Sequence, residues 1–207
     1  MNFTLLSRTA IALVVAAAAI GCSSSSSSGG TTPPADTGPA GETGGALSCN
    51  TYCALIAKNC TGDHAQYVDD ATCMAMCAKF DVGTAADTSG DTLGCRTYHA
   101  TAAGTDANTH CTHSGPYGGN TCGASRCDNL CKLDLALCPK SGTGLYADQA
   151  SCVTACKAAG DLATGKELDP GQPGKLNCIE YHLEAAAKDS ATHCGHITTA
   201  SGPCKAP

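Results

Sequence analysis

The chain has 207 residues, a formal net charge of −6, no Trp and 17 Cys. Acidic side chains outnumber basic ones 18 to 12, which argues against nucleic acid or an anionic lipid surface as the main partner. Phe80 is the only Phe beyond the first few residues, so a folded part of this size has a thin apolar core. Disulfides would offset that weakness, each by on the order of 2–4 kcal/mol through restriction of the unfolded chain.

The N-terminus, "MNFTLLSRTAIALVVAAAAIGC", carries one charged side chain, Arg8, ahead of an apolar run from Thr9 to Ile20. The run is short for a membrane-spanning helix and ends in small residues, the pattern of a secretion signal over residues 1–21. Its ending, "AIGC", resembles the lipobox of bacterial lipoproteins, although Ala19 stands where leucine is most common there. The resemblance covers residues 1–22 and implies that Cys22 is acylated and becomes the mature N-terminus. Cysteine arithmetic agrees, because 17 less Cys22 leaves an even 16. Residues 22–48 are dominated by Ser, Gly, Pro and Thr and read as a flexible tether. By the same resemblance, Ser23 rather than an aspartate beside the cysteine points to a bacterial outer membrane. The expectation is an extracytoplasmic protein held at the membrane through the lipid on Cys22, with no later segment apolar enough to span a bilayer.

Beyond the tether the cysteines keep one rhythm twice. Cys49, Cys53, Cys60, Cys73, Cys77, Cys95, Cys111 and Cys122 are separated by 3, 6, 12, 3, 17, 15 and 10 residues. Cys127, Cys131, Cys138, Cys152, Cys156, Cys178, Cys194 and Cys204 are separated by 3, 6, 13, 3, 21, 15 and 9. This is a tandem duplication, with one repeat over 49–124 and a second over 125–207. "YVDDATC" at Tyr67 and "YADQASC" at Tyr146 reinforce it, and the length differences fall in Gly- and Asp-rich loops.

The first three cysteines of each repeat fall within an arc of about 40° on a helix, and a second helix follows with its own C-x3-C stripe. Two antiparallel helices with facing stripes can be stapled twice, as Cys49–Cys77 with Cys53–Cys73, and as Cys127–Cys156 with Cys131–Cys152. The arrangement resembles the twin C-x3-C hairpin of small disulfide-stapled helical proteins, a structural motif that brings no activity with it. The other four cysteines of each repeat stay open: Cys60 to Cys95 with Cys111 to Cys122, or Cys95 to Cys111. The fold class is all-α, small and disulfide-rich: two tandem helical repeats stapled by C-x3-C pairs.

The third segment of each repeat is the most alike. "CRTYHATAAGTDANTHCTH" and "CIEYHLEAAAKDSATHCGH" begin 83 residues apart and match at ten of 19 positions. Disulfides alone would keep only the cysteines. His99, His110 and His113 recur as His182, His193 and His196 with identical offsets. Cys95 and His99 lie one turn apart on a third helix, as do Cys178 and His182. His110 and His113 flank Cys111 after a turn containing Asp106. A disulfide drawing Cys111 toward the third helix would gather three imidazoles, a donor set suited to Zn, Cu, Ni or haem iron. Asp106 and Asp189 would orient ligands from behind. The competing expectation is that these histidines only hydrogen-bond carbonyls at helix ends. Tyr98 and Tyr181 read as core residues.

No G-x-S-x-G, H-E-x-x-H, P-loop or G-x-G-x-x-G followed by a helix occurs, and no C-x-x-C-H for covalent haem. The chain is therefore not expected to be an enzyme. As a whole it resembles uncharacterised cysteine-rich bacterial lipoproteins, which implies location and build but no activity. The leading expectation is a membrane-anchored structural or interaction module with a surface or periplasmic protein partner and no cofactor. The alternative is a metal- or haem-binding protein with one three-histidine site per repeat.

Overall fold

The computed structural model describes residues 47–139, 142, 144–160, 162 and 167–207. The expected signal peptide, Cys22 and the expected tether up to residue 46 lie outside the described residues. The described part belongs to one compact unit, Glu42–Pro207. It is helical, with no strand among the described residues beyond an isolated bridge between Asp81 and Thr92.

The first repeat contributes α1 (Cys49–Asn59), α2 (Asp70–Cys77), α3 (Leu93–Ala102) and α4 (Ala107–Ser114). The second contributes α5 (Arg126–Leu137), α6 (Gln149–Ala158), α7 (Leu176–Ala186) and the single turn α8 (Ser190–His193), which runs into a 3-10 turn over Cys194–His196. Short helices such as these are marginal alone. Local chemistry starts them: Ser48, Asp69, Thr92, Asp106, Ser125, Asp148 and Asp189 each accept a backbone N–H three residues on. Among the described α-helices only α7 has no side-chain cap. It is also the most enclosed helix, with Leu176, Ile179, Leu183 and Ala186 in the core.

Disulfides replace much of the missing apolar bulk. Cys49–Cys77 and Cys53–Cys73 staple α1 to α2, and Cys127–Cys156 and Cys131–Cys152 staple α5 to α6. The remaining cysteines follow neither expected pairing. Cys60 bonds Cys111, and Cys95 bonds Cys122. The second repeat does the same with Cys138–Cys194 and Cys178–Cys204. The reason lies in packing. α3 packs on both α1 and α4, and α4 reaches the C-terminal end of α1, where Cys60 caps the helix. Cys95, at the start of α3, is left to meet the chain where it leaves the repeat. All eight bridges among the described residues close within a repeat.

Two polar anchors complete the frame around α3. Asn59 Nδ2 donates to Ala100 O at 2.8 Å, tying the end of α1 to α3. Arg96, 1% exposed, lies over the Phe80 ring at 4.0 Å, pairs with Asp91 at 2.7 Å and donates to Gly115 O and Pro116 O. It therefore fixes both the loop that enters α3 and the segment that leaves α4.

Candidate metal centre

His99 sits in the second turn of α3, and His110 and His113 sit on α4. The turn expected at Asp106 precedes the helix that carries the last two. Asp106 caps α4 by accepting from Thr109 N, and Asp189 caps α8 by accepting from Thr192 N. Both aspartates are thus occupied at helix starts and do not orient the histidines. Two of the ten matched positions, the Asp and the Thr, are therefore explained by capping. On α4 the i, i+3 spacing of His110 and His113 puts both on the face turned to α3. Cys111 between them is drawn to Cys60, so the cluster forms by packing of α4 on α3 and not by a bridge to α3.

The structure brings all six sequence-selected histidines into two matching clusters. One ring nitrogen from each of His99, His110 and His113 lies within 4.8 Å of the others, and the same holds for His182, His193 and His196. His99 Nδ1 is 3.0 Å from His110 Nδ1, and His182 Nδ1 is 3.1 Å from His193 Nδ1. The third ring stands edge-on to the first in each case, with centroids at 5.0 Å for His99 and His113 and 4.9 Å for His182 and His196. His99 and His182 are buried, and the other four are half-buried, so each cluster has a wall and an open side. Four bonds of about 2.0–2.1 Å in tetrahedral geometry would space donor nitrogens by about 3.3 Å. Two nitrogens of each cluster already stand near that spacing.

Burial sets the charge state. It lowers the pKa of His99 and His113, and the neighbouring imidazoles lower both further, against a smaller rise at His99 from its bond to Thr88. Burial, with His196 and His193 adding to it, pushes His182 down to about 4. These three rings are neutral at pH 7 and offer lone pairs. The Nδ1 atoms of His113 and His196 are buried and have no hydrogen-bond partner. A buried polar atom left unpaired, at the same place in both repeats, fits a ligand better than it fits a finished scaffold.

Cys95 and Cys122 also stand within ligand distance of His99, as Cys178 and Cys204 do of His182. Both pairs are disulfides and so supply no thiolate. Tyr98 and Tyr181 were expected in the core. Tyr98 is 47% exposed, Tyr181 is half-buried, and each stands edge-on to its neighbouring histidine. One functional contact escapes sequence reasoning altogether. Thr88 O lies 3.2 Å from His99 Nε2, and a main-chain carbonyl leaves no signature in residue identity.

Residues 33–125 match the model of the BfoA family C-terminal domain. That stretch contains the whole first repeat, with its three histidines, and ends where the second repeat begins. No curated protein and no solved structure matches the chain.

Proposed function

We propose that this is an extracytoplasmic, lipid-anchored protein whose two repeats each bind one transition-metal ion through three imidazoles. His99, His110 and His113 hold the first ion, and His182, His193 and His196 hold the second. The observation that carries this reading is the convergence of three histidines in both repeats around a buried, unpartnered Nδ1. A purely structural or interaction module accounts for the cysteines and the caps but leaves those nitrogens without a reason. A haem is less suited, because a porphyrin fills the four equatorial positions of its iron and leaves protein ligands only on opposite faces. An imidazole set favours Zn(II), Cu(II) or Ni(II) over Mg(II) or Ca(II). The role assigned is binding, with no reaction attached to it. Eight disulfides among the described residues fit an oxidising compartment, and no helix among them is long and apolar enough to cross a membrane.

The test is metal analysis of the full-length protein purified from the cell envelope, followed by loading with Zn(II), Cu(II) or Ni(II). Two equivalents per chain are expected, falling to one in His110→Ala and one in His193→Ala. Failure to carry or to take up any of the three ions would end the proposal.

A further inference from the structure

The two clusters share their histidines but not their surroundings, and the difference lies behind the buried ring. A carbonyl oxygen only accepts, so the contact from His99 Nε2 to Thr88 O requires the proton on Nε2. A neutral His99 then presents an Nδ1 lone pair toward His110. This is the arrangement in which a backbone carbonyl fixes a metal ligand's tautomer and ring orientation. Thr88 is held in place by its loop: Asp87 accepts from Thr84 N at 3.0 Å, from Thr84 Oγ1 at 2.6 Å and from Thr92 Oγ1 at 2.8 Å. Asp87 thus knots the loop to the N-cap of α3.

Among the described residues, the second repeat lacks this support. His182 is as buried as His99, yet its Nε2 has no hydrogen-bond partner. The stretch between Cys156 and Cys178 is four residues longer than that between Cys77 and Cys95 and carries Pro170 and Pro173. There Asp169 accepts from Gly171 N and Gln172 Nε2, so the local turn closes on itself. No carbonyl among the described residues takes the place of Thr88 O. With Nδ1 coordinating, the Nε2–H of His182 is buried and unsatisfied. With the proton moved to Nδ1, it is donated to His193 and the coordinating lone pair is lost. Either state disfavours metal, whereas His99 already holds its binding tautomer.

We propose that the two sites have different tasks: the first retains its ion, and the second is the weaker, exchangeable site, with Asp87 acting as a positioning residue for the first. The inference rests on the metal reading given above. The affinity gap expected from such a supporting contact is about 10- to 100-fold.

Zn(II) titration of the full-length protein against a competing chromophoric chelator tests it. His193→Ala isolates the first site and His110→Ala the second. The first site should bind about 10- to 100-fold tighter, and Asp87→Ala should weaken it about tenfold while leaving the second unchanged. In the metal-free protein, 15N spectra of the histidine rings should show His99 as the Nε2–H tautomer and His182 as the Nδ1–H tautomer. Equal affinities, a tighter second site or identical tautomers would overturn the inference while leaving metal binding intact. Absence of Zn(II) binding at both sites would remove the metal reading and this inference together.

Discussion

Asp134 is buried without a partner. It is 1% exposed, and neither carboxylate oxygen has a hydrogen-bond partner. Burial raises its pKa to about 7, well above the ordinary value of 3.8. The sign follows from linkage: below pH 3.8 the acid is neutral both folded and unfolded, so it costs little. Between there and about pH 7 only the unfolded chain ionises, and stability falls as pH rises. The matching position in the first repeat is Ile56, which is buried and apolar. Asp134→Ile should therefore stabilise the protein, by on the order of 3–4 kcal/mol above pH 7 and by much less at pH 4. Thermal melts of both proteins across that range check it, and a gain independent of pH would rule out ionisation as the cause. At this scale the sequence was informative wherever an identity recurred, as with the six histidines. It was silent about Thr88 O, and it misassigned Asp106 and Asp189, because an aspartate three residues before a threonine serves a helix start as readily as a ligand.

Among the elements, the first two helices of each repeat were legible because a C-x3-C stripe fixes both a helical face and its partner. The last two disulfides of each repeat were not. Their pairing depends on where α3 and α4 cross α1, and that is decided by contacts such as Arg96 on Phe80, which no spacing reveals. The junction between repeats depends on similar detail. Gly123 has φ +139°, and a Cβ there would lie on the amide of Asn129. That amide donates to Tyr117 O at 3.0 Å and Cys122 O at 2.9 Å, holding the start of α5 against the end of the first repeat. Gly123→Ala combines a strained backbone with loss of this clamp, so a destabilisation of about 2–3 kcal/mol is expected from denaturant unfolding. A variant within experimental error of the parent would refute the clamp.

In the whole molecule, the two repeats meet along α7: Tyr117 donates to Glu180 O at 3.0 Å, and the buried Glu184 accepts from Val68 N at 3.0 Å. Arg126, within the second repeat, grips Glu180 with two nitrogens, one at 2.7 Å. Thr97 and Thr101 stand in the first repeat where Glu180 and Glu184 stand in the second. α7 thus carries buried glutamates where α3 carries threonines, on the side that packs against the first repeat. The anchor is tested at the same scale. Cys22→Ala should release the protein from membranes in cell fractionation, and unchanged membrane retention would exclude acylation of Cys22 as the tether.

The confinement of every bridge to its own repeat has a mechanical consequence. A protein held at one end and pulled at the other unravels only as far as its covalent path permits. Here the shortest path jumps from Cys49 to Cys77 and from Cys95 to Cys122 in the first repeat, and from Cys138 to Cys194 in the second. Only the stretches 77–95, 122–138 and 194–204 remain to be drawn out, about 170 Å including the bridges, against roughly 530 Å for the same chain reduced. Under load the oxidised molecule behaves as a short, inextensible cord, and in the first repeat the taut segment is the loop that leads into α3. Tension would therefore run through the loop behind His99.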